Sequence, residues 1–212
     1  MPRAKAILQN EFPYSITARC INREWFNLPM IVVWEIFCGE LTKVCEKHNL
    51  LIHSFVLMSN HFHLIASTPE SNISECMQRF MHASSLKLTK QGNRINGTFA
   101  GRHYKTILHE YNYYLNAYKY IYQNPIRAGL CKNAEDYEFS TLNSLVGQSE
   151  ARVPLVRDAE YCSNPIGILR WLNERPQELK VEAVRYALKR QYFKPKKQNN
   201  KNKAILGAND LL

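Results

Sequence analysis

A segment in the first third of the chain constrains the fold more than any other. An apolar run at 52–58 is followed by Ser-Asn and by a second apolar stretch that begins with His61-Phe62-His63. Two apolar runs joined by two turn-forming residues predict a β-hairpin. Successive side chains of a strand point to opposite faces, so His61 and His63 share one face while Phe62 enters the core. Two imidazoles side by side on a strand form half of a metal site.

The apolar periodicity of the first 124 residues predicts seven elements in the order strand, helix, strand, strand, helix, strand, helix. The predicted strands are 13–23, 50–58, 62–67 and 99–108, and the predicted helices are 30–48, 72–90 and 111–124. Asn72, with Glu75 three residues later, is the expected cap of the second helix. The first six elements form a split βαβ pattern. We therefore expect an α/β (α+β) fold with a single antiparallel sheet of ferredoxin-like or RRM-like topology and helices on one face.

The composition changes after Gly147, and this sets the expected domain boundaries. We expect a main domain at 1–146, a helical C-terminal extension at 147–191 and a basic tail at 192–212. Between Arg185 and Lys203 there are eight Lys or Arg residues and no Asp or Glu. Such a run is expected either to follow a phosphate backbone or simply to keep the tail solvated.

Charge and cysteine content narrow the class of protein. A formal net charge of +10 favours a polyanionic partner, with nucleic acid as the first candidate, although some proteins are merely basic. None of the six cysteines forms a CxxC pair, which argues against a zinc knuckle or a thioredoxin-like site. No apolar run approaches the roughly 18 residues of a membrane helix, and no signal core follows the basic N-terminus. We expect a cytoplasmic protein with reduced thiols.

The tyrosine-rich segment 111–125 is the second candidate for chemistry. Tyr120 and Asn124 are four residues apart and therefore share one helical face. If that face lies against His61 and His63, two imidazoles and an amide oxygen could hold a divalent ion with positions left open for a phosphodiester. The phenol could then attack the phosphorus and form a phosphotyrosine.

Simpler interpretations compete at each of these positions. A His-x-His pair can be an ordinary surface feature of a sheet, and His53 on the first hairpin strand is expected to be structural. Asn124 precedes Pro125 and could cap a short helix, in which case its oxygen could not also bind a metal. Other tyrosines on the same helix are expected to pack or to stack on bases, namely Tyr113, Tyr114, Tyr118 and Tyr122.

Two motifs together resemble a known family. Met-Ser-Asn-His-Phe-His-Leu at 58–64 resembles the HUH motif, in which two histidines flank a bulky hydrophobic residue. Tyr-Ile-Tyr-Gln-Asn-Pro-Ile-Arg-Ala-Gly-Leu at 120–130 resembles the tyrosine-helix signature of single-tyrosine HUH transposases. Its Asn-Pro-x-Arg-Ala-Gly-Leu form is most similar to the REP-associated tyrosine transposases, a branch of the IS200-like group. The resemblance covers residues 12–146.

This resemblance implies metal-dependent nicking and strand transfer on single-stranded DNA at hairpins such as REP-like palindromes, in DNA transposition or recombination. It makes Tyr120 the nucleophile and His61, His63 and Asn124 the ligands of Mg²⁺ or Mn²⁺. Typical insertion-sequence members have Gln at the third ligand position, so Asn has a shorter reach. The implied protein is bacterial and nucleoid-associated, and acts as a monomer or a homodimer.

Basic side chains on the predicted fourth strand, on and just after the tyrosine-rich helix, and in the C-terminal basic run are the expected DNA contacts. They are Arg102, Lys105, Lys119, Arg127, Lys189, Arg190, Lys194, Lys196 and Lys197. Two alternatives to the tyrosine enzyme remain open at this point. One is a non-catalytic hairpin-binding module on the same fold, and the other is a metal-dependent hydrolase in which water attacks.

Overall fold

The computed structural model describes residues 7–156, 163–195, 205–207 and 209–212. The strands are β1 Tyr14–Arg19, β2 Leu51–Met58, β3 His61–Ser67 and β4 Tyr104–Ile107. The helices are α1 Met30–His48, α2 Ile73–Gln91, α3 Tyr111–Tyr122, α4 Asn124–Arg127, α5 Leu142–Leu145, α6 Pro165–Asn173 and α7 Glu178–Ala187. Single 3-10 turns lie at Ile21–Arg23 and Ala134–Asp136.

The four strands form one antiparallel sheet in the order β2-β3-β1-β4. Helix α1 connects β1 to β2, and α2 connects β3 to β4, so the predicted split βαβ topology is confirmed. Strand β4 is shorter than the predicted 99–108. The chain before it passes through Gly101 at φ +146, where regular pairing stops; Phe99 forms an isolated bridge with Cys20, and the N–H of Ala100 donates to the carbonyl of Arg19 at 2.9 Å.

Helices cover both faces of the sheet: the two helices of the split βαβ pattern, α1 and α2, lie on one face as expected, and later helices cover the other. On the first face, α1 and α2 enclose a core in which the rings of Phe37, Phe62 and Phe80 meet edge to face. On the second face, Val56 and Ile65 pack in a core with α3, α6 and α7. The second face is covered because the apolar runs of β2 and β3 are nearly continuous, as expected for strands that are buried on both sides.

The C-terminal residues pack on the back of α3. Asn116 on α3 donates its side-chain amide to the carbonyl of Asp210 at 2.8 Å, and its Oδ1 accepts the backbone N–H of Leu212 at 2.7 Å. Phe193 and Leu206 are fully buried in the second core. The predicted basic tail therefore contains residues that belong to the core. The charged stretch 198–203 lies outside the described residues.

One predicted helix end has the expected conformation, and one predicted helix cap does not make the expected hydrogen bond. Asn49 ends α1 in the left-handed conformation, with φ 51, as its position predicts. The expected cap Asn72 precedes α2, but its side-chain amide donates to the carbonyl of His48 at 3.0 Å and makes no capping hydrogen bond. Across the described part of the chain, no helix has both the length and the apolar character needed to cross a membrane.

Candidate active site

The two histidines of the hairpin lie side by side on β3. His61 pairs in register with Arg19 of β1, and His63 pairs with Thr17. Their ring centroids are 5.0 Å apart. The Nδ1 of His61 lies 2.7 Å from Oδ1 of Asn60. Because an amide oxygen accepts, Nδ1 carries the proton in this contact and Nε2 keeps its lone pair available for a ligand.

Both imidazoles are kept neutral by their surroundings. Burial, with a smaller contribution from the charge of Arg19, lowers the pKa of His61 to about 4. Burial lowers the pKa of His63 well below its usual range, and the charges of His61, Arg127 and Arg19 act in the same direction. The neutral imidazole is the form that binds metal ions. Both rings are therefore in the metal-binding form at pH 7.

Helix α3 brings one of its tyrosines against this pair within the same chain. The ring of Tyr120 lies perpendicular to the ring of His63, with 6.3 Å between the centroids. Its side chain is 8% exposed. The Nε of Arg185, on α7, donates to the Tyr120 hydroxyl at 3.4 Å. A phenol, an imidazole pair and a guanidinium thus converge.

The other four tyrosines named as competitors have contacts that fit packing roles. Tyr113 stacks on Phe193, and Tyr114 meets the ring of His53 edge-on. The hydroxyl of Tyr118 donates to the carbonyl of His53, and the hydroxyl of Tyr122 forms a hydrogen bond with Thr141 Oγ1. His53 itself contacts Ser67 Oγ at 2.7 Å, consistent with its expected structural role. Burial raises the pKa of Tyr122 far above its ordinary value, which makes it a poor nucleophile. Within α3, Tyr120 is the tyrosine whose ring contacts the histidine pair.

Asn124 begins the short helix α4, but its side chain is engaged by an arginine rather than by a helix terminus. Its Oδ1 accepts from Nη2 of Arg127 at 2.7 Å. The same Nη2 donates to the carbonyl of Tyr120 at 2.6 Å. Gly129 follows at φ +70, which a residue without Cβ adopts freely, and closes the turn after α4. Arg127 thus ties the end of α3 to α4.

The residues present fit a divalent cation. Two neutral imidazoles share a face of β3, and Asn124, four residues after Tyr120, carries an amide oxygen as a third donor atom. An amide oxygen has two lone pairs, so Oδ1 of Asn124 can accept from Arg127 and still meet a cation. No cluster of three or more His, Cys, Asp or Glu side chains suited to a metal occurs in the described ranges. The site would therefore depend on oxygens of the substrate to complete the coordination.

Four of the predicted DNA-contacting cations meet at one groove. Arg102, Lys105, Lys189 and Arg190 line a groove of about 960 Å³ beside β4. Of the remaining predicted contacts, Arg127 lies at the Tyr120 site, Lys194 is exposed, and Lys196 and Lys197 lie outside the described residues.

Lys119 is a correction to the predicted set of DNA contacts. Its side chain is 1% exposed, and its Nζ donates to the carbonyl of Leu212 at 3.0 Å and lies 5.1 Å from the ring centroid of Trp171. Burial lowers its pKa to about 8. Position on a tyrosine-rich helix suggested a phosphate contact, but that side of α3 is covered by C-terminal residues. Lys119 is therefore an internal structural lysine.

Three residues at or near the site were not assigned to it from the sequence. Arg19 follows from strand alternation, because it shares a face with Thr17 and stands opposite His61. Tyr104 is 60% exposed and stands opposite Thr17 on β4, in the same cross-strand row as His63. Arg185 approaches Tyr120 from 65 positions away, and no local pattern indicates this contact.

Comparison with known proteins identifies the family of this chain. The family model described as IS200-like transposase matches residues 15–124, a range that begins in β1 and ends at Asn124. The chain belongs to the IS200-like transposases. An IS200-like transposase is a DNA-processing enzyme, so DNA is its partner. The matched range contains His61, His63, Tyr120 and Asn124.

One solved structure shows the same fold as this IS200-like transposase. A REP-associated tyrosine transposase bound to a REP hairpin is 19% identical, with a TM-score of 0.61 over 74% of this chain and 93% of that chain. A putative transposase from Deinococcus radiodurans R1 is 13% identical, with a TM-score of 0.37 over 50% of this chain and 84% of that chain. No curated protein matches the sequence significantly.

Proposed function

We propose that this IS200-like transposase nicks and rejoins single-stranded DNA beside hairpins, with Tyr120 as the nucleophile. The observation that carries the proposal is the contact of the Tyr120 ring with His63 inside one chain. The Asn-Pro-x-Arg-Ala-Gly-Leu sequence at 124–130 and the likeness to a transposase bound to a REP hairpin favour REP-like palindromes as the substrate.

In the proposed reaction, the Tyr120 oxygen attacks the phosphorus of a phosphodiester. A bond forms between that oxygen and phosphorus, and the bond to the 3′-oxygen breaks. The phenol loses its proton and the departing 3′-oxygen takes one up. The products are a 5′-phosphotyrosine and a free 3′-hydroxyl. Because nothing else is consumed, a second 3′-hydroxyl can reverse the step and join strands without ATP.

Two arginines support the phenol and the phosphate. Arg185 donates to the Tyr120 hydroxyl and so places a positive charge beside the oxygen that would attack. Arg127 holds the backbone of Tyr120 and the side chain of Asn124 with one nitrogen. The positive charges held in place by these contacts are suited to stabilising the charge that develops on a phosphate in the transition state.

His61, His63 and Asn124 would hold Mg²⁺ or Mn²⁺. When bound, the ion supplies charge neutralisation on the non-bridging phosphate oxygens. The contribution of the protein is to keep both imidazoles neutral by burial and to fix His61 through Asn60. Since the tyrosine and the histidines come from one chain, we propose that a monomer carries a complete site.

The direct test uses a labelled hairpin oligonucleotide with Mn²⁺. Tyr120→Phe is expected to abolish the covalent protein–DNA adduct while hairpin affinity stays within about twofold, because the phenyl ring keeps the packing. Tyr113→Phe, on the same helix, is the matched control and should form adduct normally. Cleavage that persists in Tyr120→Phe would point to water as the nucleophile. Hairpin binding by the parent protein without any adduct would point to a non-catalytic binding module.

A further inference from the structure

The loop between β1 and α1 is tied to the turn of the hairpin that carries the histidine pair. The backbone N–H of Cys20 donates to the carbonyl of Asn60 at 2.8 Å. The backbone N–H of Phe26 donates to the carbonyl of Ser59 at 2.9 Å. Phe26 is buried, and its ring meets that of Phe37 on α1 edge to face, with 5.5 Å between the centroids. The loop is therefore anchored in the first core and holds the hairpin turn in place.

A third contact from the same loop determines how the side chain of Asn60 is turned. Nδ2 of Asn60 donates to the carbonyl oxygen of Arg23 at 2.8 Å. Because a carbonyl oxygen can only accept, the side-chain nitrogen must face Arg23. The side-chain oxygen then faces the other way, where Nδ1 of His61 lies at 2.7 Å. With the amide reversed, two acceptor oxygens would meet at Arg23, so the loop decides which atom of Asn60 the imidazole contacts.

The orientation of Asn60 selects one tautomer of His61. A neutral imidazole has one N–H and one lone pair, and Oδ1 of Asn60 can only accept, so Nδ1 is the protonated nitrogen. The lone pair is then on Nε2, which is available to bind a cation. In the opposite tautomer Nε2 carries the proton and cannot bind a metal ion. A fixed tautomer therefore keeps the ring in its metal-binding form before a metal arrives.

The carbonyl of Arg23 is presented by a backbone conformation that arginine does not favour. Asn22 and Arg23 have φ values of 55 and 60, in the left-handed region. Asparagine adopts this region more readily than most residues, whereas arginine has no short polar group that offsets the crowding at Cβ. The side chain of Arg23 is exposed, so its packing does not impose the conformation. Strained residues of this kind persist where the surrounding structure requires them, and they concentrate at functional sites.

We propose that the loop 20–26 is a positioning element for the metal ligand His61, in which the left-handed backbone at Arg23 orients Asn60 and Asn60 fixes the Nδ1–H tautomer. The inference rests on the proposed function, because a fixed tautomer serves a metal ligand. Arg23 and Asn60 act through His61 and are not themselves ligands. A change of backbone conformation at an exposed residue is therefore expected to alter metal affinity at the imidazole.

The tautomer can be measured on metal-free, full-length protein labelled with ¹⁵N at histidine, because a ring nitrogen changes its chemical shift strongly when it carries a proton. At pH 8 the parent should show a protonated Nδ1 at His61, assigned by its loss in His61→Gln. Asn60→Ala removes the acceptor and should give a mixture of the two tautomers. Asn60→Asp keeps an acceptor beside Nδ1 and should restore the parental tautomer. A fully protonated Nδ1 in Asn60→Ala would overturn the proposal.

Metal affinity is measured by calorimetry with Ni²⁺ alone, which imidazole binds more tightly than Mn²⁺. Asn60→Ala is expected to weaken binding about tenfold, the effect that loss of an outer hydrogen-bond partner commonly has. Arg23→Val should weaken binding about threefold or more, because a β-branched side chain opposes the left-handed backbone. Arg23→Asn is the matched control, since it removes the same charge but accepts this conformation, and it should stay within about twofold of the parent.

The comparison of the two Arg23 variants separates backbone conformation from charge. Equal Ni²⁺ affinity in Arg23→Val and Arg23→Asn would overturn the role of the loop. If Arg23→Val does not fold, Asn60→Ala still tests the proposal, because it changes only a side chain of the hairpin turn. These measurements use neither DNA nor cleavage. Their outcome is therefore independent of whether Tyr120 is the nucleophile, which the adduct assay decides separately.

Discussion

The guanidinium of Arg127 lies over the ring of Tyr120, with its Cζ 4.3 Å from the ring centroid. The same side chain donates to the carbonyl of Tyr120 and to Oδ1 of Asn124. One arginine therefore contacts the proposed nucleophile on two sides and the proposed third metal ligand as well. A planar guanidinium can make these contacts at once, whereas the ammonium of lysine cannot stack in the same way.

Replacing Arg127 with Lys is expected to slow adduct formation on the hairpin about 100-fold, since the planar guanidinium that contacts both Tyr120 and Asn124 is lost. Single-turnover adduct rates with Mn²⁺ would measure the effect, and hairpin affinity should change much less. Arg79→Lys, on the exposed side of α2, provides the control. An unchanged rate in Arg127→Lys would show that the guanidinium does not organise the site.

The third ligand position gives a prediction about metal dependence. Asn124→Ala should raise the Mn²⁺ concentration needed for half-maximal adduct formation by about tenfold or more, because one oxygen donor is removed. Asn124→Asp should lower that concentration, since a carboxylate attracts a cation more strongly than an amide. A titration of adduct rate against Mn²⁺ distinguishes these outcomes. If both variants keep the parental metal dependence, Asn124 is not a ligand.

The parts of the fold that the sequence predicted depend on local periodicity. The hairpin is defined within 51–67, and its alternation alone placed His61 and His63 on one face. The four-residue interval predicted that Tyr120 and Asn124 share one helical face; α3 ends at Tyr122, and Arg127 joins the carbonyl of Tyr120 to the side chain of Asn124 across the break before α4. These features need no information from distant residues, so a single sequence is sufficient.

What the sequence could not predict depends on contacts between distant segments. Lys119 is buried by Leu212, 93 residues away, and a count of charges cannot indicate such burial. Arg185 reaches Tyr120 across 65 positions. The covering of the second sheet face was indicated by the continuous apolar runs in β2 and β3, but the helices that cover it are far along the chain. All three features depend on tertiary packing between segments that are distant in the sequence.

The lowered pKa of His61 predicts a loss of stability at acid pH. The folded protein takes up this proton only near pH 4, whereas the unfolded chain takes it up near pH 6.5. The unfolded state therefore binds more protons between these values, and the free energy of unfolding falls as the pH falls through this window. The expected loss from His61 is about 1–2 kcal/mol, because partial solvent access to the ring moderates the shift.

Urea denaturation of the parent and of His61→Gln between pH 7 and pH 4.5 would measure this contribution. The difference between the two isolates His61 from the carboxylates, which titrate in both proteins. His61→Gln should lose less stability on acidification than the parent. His82→Gln, which replaces an exposed histidine, should follow the parental curve. Parallel curves for the parent and His61→Gln would contradict the lowered pKa.

Lys119→Met is expected to leave hairpin affinity within about twofold, because the side chain lies inside the protein. The contribution of the lysine should instead appear in the free energy of unfolding at alkaline pH. The folded pKa of about 8 lies below the unfolded value, so the unfolded state binds more protons between them and stability rises with pH. From pH 7 to pH 10 the parent should gain about 2 kcal/mol relative to Lys119→Met. Denaturation at both pH values tests this, and a constant difference would contradict it.

The C-terminal residues that cover α3 give a final prediction about stability. Leu206 is fully buried in the second core, whereas Leu211 is 37% exposed. Leu206→Ala should reduce the free energy of unfolding by about 2–4 kcal/mol, from lost burial and the cavity that remains. Leu211→Ala is the matched control and should cost less than about 1 kcal/mol. Equal effects of the two substitutions in urea denaturation would show that the segment does not pack on α3 in solution. Because Tyr120 is on that helix, Leu206→Ala is also expected to reduce adduct formation at temperatures where the parent is still fully active.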